Sequence, residues 1–275
     1  VARNDWKGFF ILMRIFLLLV LLTAIVLSGC ENPNNNTNKN QNNNANRPPD
    51  FTPPKPITPD GPPTPGFVSC NPYYPLVPGS VVKYVLNYTS AVVADVTVVV
   101  DASDENGRKG FRERTQIVDR SGGAEINQLT ERHFVCEGDK VVVLSEKAES
   151  KIQGKPSVAE NHYRPNSYWM IEPSTLAQKD ANWTLVFKQT FHSPDQPNAE
   201  GDKPVVITFT ARGEEMVQLP VGKLKALKIE RKVGDKIMYE WFVRGMGMVR
   251  RIGADGTGQE LKEYSGMKPL DGFIK

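Results

Sequence analysis

From Tyr73 onward apolar and polar side chains alternate with a period of two, the spacing of strands that bury one face and solvate the other. Val82, Tyr84, Leu86 and Tyr88 alternate with Lys83, Val85 and Asn87. Val92, Ala94, Val96, Val98 and Val100 then alternate with a face carrying Asp95, Thr97 and Asp101. Asp104-Glu105-Asn106-Gly107 reads as a turn, because Asn-Gly tolerates positive φ. Phe134-Val135-Cys136 and the apolar run 141–144 flank Glu137-Gly138-Asp139, which predicts a hairpin. Leu185, Phe187 and Phe191 share a face, as do Val205, Ile207, Phe209 and Ala211, and again Ile237, Tyr239, Trp241 and Val243. Between Ala226 and Leu227 the alternation slips by one, predicting a β-bulge. The stretch 173–179 is expected to form a short helix with Ser174 as N-cap. No long helical period follows Cys30. The pattern predicts a mainly β domain over residues 67–275, built as a single antiparallel, strongly curved sheet or half-barrel.

Upstream the pattern changes twice. Residues 15–27 are apolar apart from Thr23, preceded by Arg14, Lys7 and Arg3 and followed by Ser28-Gly29-Cys30. A positive lead, a short apolar core and small residues before the break are the parts of a secretory signal. Thirteen residues fall short of the roughly 20 that span a bilayer as a helix. Leu27-Ser28-Gly29-Cys30 resembles the lipobox of bacterial lipoproteins. The resemblance implies a signal peptide over 1–29, a diacylglyceryl group on the Cys30 thiol, cleavage before it and acylation of the new amino group. The opposing reading, an uncleaved anchor helix from Phe9 to Gly29, places Arg14 inside the membrane at a cost of about 2.5–3.5 kcal/mol. Because Met13-Arg14 and the apolar run already make a complete signal, residues 1–12 are expected to be a start-site extension. Glu31, where an Asp would favour inner-membrane retention, implies an outer-membrane anchor facing the periplasm.

Residues 31–46 contain 10 Asn in 16, and residues 47–66 contain 9 Pro in 20. Neither composition buries enough apolar area to offset chain entropy, so 30–66 is expected to be a disordered tether from the lipidated Cys, coil first and polyproline-like after. The same prolines also fit a PxxP-type ligand.

The chain carries 34 Lys and Arg against 31 Asp and Glu; removing Arg3, Lys7, Arg14 and Asp5 with the signal leaves 31 against 30. That balance excludes the concentrated basic face of a nucleic-acid coat. Lys223, Lys225, Lys228, Arg231 and Lys232 alternate with apolar residues and are expected to form a solvated strand face. Besides Cys30 the thiols are Cys70 and Cys136. Export places them where a disulfide persists; a bridge and two separate buried thiols both remain open.

Tyr73-Tyr74-Pro75-Leu76-Val77-Pro78-Gly79-Ser80, Leu219-Pro220-Val221-Gly222-Lys223-Leu224 and Trp241-Phe242-Val243-Arg244-Gly245-Met246-Gly247-Met248-Val249-Arg250 look like the signatures of a class of secreted bacterial β-sheet proteins. More remotely that class is similar to the curved sheets of outer-membrane lipoprotein carriers and receptors. Val82 stands where the class often has Trp. The motifs specify turns and packing more than chemistry, and the expectation is a non-catalytic domain that binds an apolar small molecule on the concave face or scaffolds an envelope protein partner. The aromatic residues expected on the concave face are Tyr84, Tyr88, Phe187, Phe209, Tyr239 and Trp241.

Catalytic patterns are sparse. His133, His162 and His192 lack HExxH spacing, no Ser lies in a GxSxG elbow, and Gly245-Met246-Gly247 lacks the third glycine of a dinucleotide loop. Residues 101–107 approach a calcium loop, but the first ligand position falls on Ala102 and strands flank it. No metal or cofactor is expected. The alternative is an envelope hydrolase, whose mark would be clustering of the three histidines with carboxylates.

Overall fold

The computed structural model describes residues 55–64, 69–88, 91–105, 107–119, 127–152, 155–193, 196–200 and 204–273. Cys30 with its lipobox, the Asn-rich segment, Asn106 and the Tyr88 side chain lie outside the described set.

The strands are β1 (Val81–Tyr88), β2 (Ala91–Glu105), β3 (Arg108–Asp119), β4 (Asn127–Glu137), β5 (Lys140–Ile152), β6 (Lys155–Tyr163) and β7 (Tyr168–Met170). After the helical turn α1 (Pro173–Leu176) come β8 (Asn182–Ser193), β9 (Gln196–Glu200), β10 (Val205–Leu219), β11 (Gly222–Val233), β12 (Lys236–Val243), β13 (Gly247–Ile252) and β14 (Gly258–Ser265). Every pairing is antiparallel. β1 to β6 form a meander that continues through β8, β10 and on to β14, which pairs back with β1. Twelve strands thus close into a barrel, with β7 on β5 and β9 on β8 as side branches. The curved sheet expected from the alternation is this barrel. Closure goes beyond the half-barrel reading because β8 pairs with β10 over Trp183↔Phe209 and its neighbours, consuming the two edges an open sheet would leave unpaired.

Both predicted turns form. Glu105 pairs with Arg108 and Glu137 with Lys140, and Gly107 at φ 78° accepts the left-handed position while its N–H donates to Asp104 Oδ1. The bulge is displaced. Ala226 and Leu227 pair in uninterrupted register with Glu215 and Glu214; the irregularity lies on β10, where Ala211 faces Ile229 and Gly213 faces Lys228. Ala226 and Leu227 are both buried because this end of β11 is covered on both faces. Leu227 packs with Ile229 and Phe242, and Ala226 with Leu224, Val217 and Trp241. The helix cap also moves: Glu172 is the N-cap and Pro173 takes the first helical position, leaving Ser174 inside the turn.

The lead-in segment 69–80 ties one end of the barrel together. Cys70 is bridged to Cys136 on β4. Asn71, fully buried, donates from Nδ2 to the carbonyls of Asp139 and Ile171, and Gly245 N–H donates to Pro72 O. Tyr73 and Leu76 enter the core beside Phe134, Val143, Leu185 and Phe209.

Part of the expected tether is also ordered. Residues 55–64 run along the outer face of β2 and β3, where Gln116, Arg114, Arg112 and Asp101 hold them. Residues 55–64, expected to belong to the tether, are thus bound to the barrel, and this explains why Asp101, on an outward face, is only 3% exposed.

Candidate functional site

Cross-strand register decides what faces the lumen. Directly opposed residues share a face, and that face flips with each step along a strand. Five consecutive partners around the wall are polar: Glu113 on β3, Arg132 on β4, Glu146 on β5, Asn161 on β6 and Gln189 on β8. Arg132 donates from Nη1 to Glu113 at 3.0 Å and from Nε to Glu146. Asn161 Nδ2 donates to Glu146 at 2.5 Å and Gln189 Nε2 to Asn161 Oδ1 at 2.9 Å. A second arc runs Glu240, Arg251, Gln259 across β12, β13 and β14. Arg251 donates to Glu240 from Nε at 2.9 Å and pairs through Nη2 at 2.7 Å, while Arg231 on β11 reaches the same carboxylate at 3.6 Å. Trp169 links the arcs, with the Arg132 and Arg231 guanidinium carbons 5.1 Å and 5.9 Å from its ring centre.

Three buried arginines and three buried glutamates therefore balance inside the barrel. Burial alone would push the Glu240 carboxyl up, but Arg251 and then Arg231 outweigh it and hold the group below the usual carboxylate range. Burial and the neighbouring carboxylates act on Arg132 in opposite directions, and Glu146 and Glu113 prevail, so its guanidinium is held charged. Tyr74 joins the first arc by donating its hydroxyl to Glu113 at 2.6 Å; burial and that carboxylate push its phenol well above the ordinary range.

Between the arcs lies a cavity of about 90 Å³. Glu113, Arg132, Glu240 and Arg251 supply its polar wall, and Val82, Val96 and Met248 much of its apolar wall. That volume holds a few waters and is well below the roughly 300 Å³ of an ordinary ligand pocket.

Of the six aromatics expected on one concave face, the Tyr88 side chain lies outside the described set and the other five divide. Tyr84 lines the cavity and donates its hydroxyl to Met248 O at 2.8 Å. Phe187 and Phe209 also point inward but fill the core: Phe187 packs on Tyr163, and Phe209 stacks on Trp183 with ring centres 5.0 Å apart. Tyr239 and Trp241 do not join them. They alternate with Glu240 and Phe242, which line the lumen, so they stand on the outer wall. There Lys228 lies over both rings, Arg250 lies over Trp241, and Trp241 Nε1 donates to Glu215. The correction follows from the two-residue period: it showed which residues share a face within β12 but carried nothing about which face turns inward. The basic β11 face splits likewise. Lys228 pairs with Glu215 on the outer wall, whereas Lys225 shares the face of Leu227 and Arg231 and pairs with Glu214 where it stays half-exposed, and Arg231 is buried in the lumen.

Two of the three histidines share an outer groove of about 290 Å³. His133 and His162 line it with Glu131, Ser145 and Glu160. His133 sits between two carboxylates, with Nε2 3.0 Å from Glu131 and Nδ1 3.6 Å from Glu105. Ser145 donates its hydroxyl to Glu105 at 3.2 Å, so that proton is directed to a carboxylate. His192 faces Val158 on β6 and does not line the groove. Among the described residues no group of three or more His, Cys, Asp or Glu side chains is placed to hold a metal ion.

The lumenal belt is what sequence reading missed. Glu131-Arg132-His133 and Glu230-Arg231-Lys232 look like solvated faces, and only the pairing reveals opposite charges on neighbouring strands at the same height. A scan of β3 to β5 for complementary charges at hairpin-paired positions would have found Glu113, Arg132 and Glu146.

No protein-family model matches the chain, and a search of curated proteins gave no match. Among solved structures the chain is similar to a protein of Bacteroides fragilis NCTC 9343, described as having a YmcC-like fold and proposed to be exported. The likeness has a TM-score of 0.39 and 10% identity, and covers 68% of this chain and 95% of that one. At that level it decides nothing about fold or function here.

Proposed function

We propose that the protein is a lipid-anchored component of the bacterial cell envelope, attached through acylated Cys30 and facing the periplasm from the outer membrane. Its barrel scaffolds an envelope protein partner through the outer surface and performs no chemistry. The observation carrying the scaffolding half is the lumen: a belt of paired charges crosses it and leaves about 90 Å³, too little for an acyl chain or a drug-sized ligand. Carrying an apolar molecule would require breaking buried ion pairs, at about 3–5 kcal/mol for each partner removed. Export is supported by the Cys70–Cys136 bridge, a bond that oxidising compartments preserve and reducing ones rarely do. In the histidine groove the commitment of Ser145 to Glu105 favours binding over hydrolysis.

Native mass spectrometry of the tagged full-length protein, purified from a membrane extract, tests this reading. The expected result is a co-purifying envelope protein with no lipid retained by the barrel. Retention of a lipid after the anchor's own acyl mass is accounted for would replace scaffolding with carriage.

A further inference from the structure

The segment 55–64 is held in a way that describes a recognition site. Gln116 reads its main chain at two points, donating from Nε2 to Lys55 O at 3.2 Å and accepting from Ile57 N–H at 3.1 Å. Arg114 donates to Thr58 O at 2.9 Å, and the Asp60 N–H donates to Asp101 Oδ1 at 2.7 Å. A carboxylate clamp adds to the set, with Asp60 2.5 Å from Arg112 and 3.1 Å from Arg114 and Arg114 also holding Asp101 at 2.6 Å. The strap's end is held by Thr64 N–H donating to Pro78 O at 3.1 Å, with Pro62 and Pro63 lying against Gly79 and Gly266. Two residues of β3 and one of β2 thus bind peptide groups of an extended chain, while Arg112 and Arg114 together select an acid at one position.

The strap contributes little apolar burial. Lys55, Pro56, Thr58 and residues 60–64 are exposed, and Asp60 keeps 62% of its side chain in solvent. Hydrogen bonds and half-exposed ion pairs of this kind are individually weak, so the strap opens more readily than the barrel wall. Opening exposes a site already shaped for an extended segment. Strand-like or polyproline-like peptides are bound elsewhere through the same combination of main-chain hydrogen bonds and a few selective contacts.

We propose that the outer face of β2 and β3 is a binding site for extended, proline-rich peptide segments bearing a carboxylate, occupied in cis by the protein's own tether and open to exchange with such a segment of an envelope partner. The proposal rests on the scaffolding reading only for the partner's class; the site itself is tested without a partner.

The test uses the full-length chain in detergent and a fluorescent peptide of residues 55–64 as the probe. Asp60→Ala loosens the cis strap and leaves the receiving face intact. The peptide is expected to bind Asp60→Ala at least tenfold more tightly than wild type, where the strap competes. Adding Gln116→Ala to Asp60→Ala removes the gain, and a peptide with Ala at the Asp60 position does not bind. Equal binding to wild type and Asp60→Ala, or binding indifferent to Gln116→Ala, overturns the proposal. Hydrogen exchange on the wild-type protein gives a second readout. The Ile57 and Asp60 amides are expected to exchange at least a hundredfold faster than those of Val99 and Val100; equal protection would make the strap a fixed part of the wall and overturn exchange. A missing partner in the mass-spectrometry experiment leaves both results standing, so the two readings fail separately.

Discussion

At the scale of single residues, the barrel's interior is an electrostatic object as much as an apolar one. Glu240 is 4% exposed and belongs chiefly to Arg251, with Arg231 at longer range. Its carboxyl is held below the ordinary range, so it contributes stability that is complete above the unfolded value near pH 4.3 and lost as pH falls through the lower folded value. Glu240→Gln is therefore expected to be less stable than wild type at pH 7 and to lose less on going from about pH 5 to pH 2. Urea midpoints at pH 7, 4 and 3 check this; parallel pH profiles for the two proteins would remove Glu240 as a source of the acid limb. Arg231 behaves differently for a physical reason. Burial comes first, Arg251 and Arg132 lie close, and Glu240 is mostly engaged elsewhere, so its guanidinium is pulled below its ordinary value.

At the scale of elements, short connections do most of the fixing. The Cys70–Cys136 bridge encloses a sequence separation of 66 and ties the lead-in segment to the end of β4. A loop of that length limits the unfolded chain by about 4 kcal/mol. Cys70→Ser with Cys136→Ser is expected to lower unfolding stability by about that amount, read by urea denaturation; an unchanged midpoint would show that the segment is held by Asn71, Tyr73 and Leu76 alone. Hairpin elements were legible in the sequence because turn chemistry is local: Asn-Gly and Glu-Gly-Asp reverse the chain wherever they occur. The β10–β11 bulge was not legible. Successive buried residues look the same whether a strand slips or is covered on both sides, and Ala226-Leu227 is the second case.

At the scale of the molecule, the described residues form a barrel with the segment 55–64 strapped along its outer face. Under the proposed anchoring through Cys30, docking of 55–64 leaves a shorter span to the barrel than a free 30–66 tether would. Cys30→Ser is expected to move the protein from the membrane pellet to the soluble envelope fraction while leaving the barrel folded. Fractionation with circular dichroism checks both, and a variant still in the pellet would return the uncleaved anchor helix to consideration.

What the sequence determined by itself was local and periodic: an apolar segment ending in Leu27-Ser28-Gly29-Cys30, a compositional break after it, antiparallel strands with most of their turns, and two thiols free to pair. These follow from spacing and turn geometry, which need only near neighbours. The tertiary structure decided everything that depends on which strands meet. Pairing of β8 with β10 closed the sheet, register placed Arg132 between Glu113 and Glu146, and parity sent Trp241 outward while Phe242 faced the lumen. It also brought Asp60 to Arg112 across 52 residues of chain. A period of two fixes which side chains travel together; only the closed barrel gives the sheet an inside.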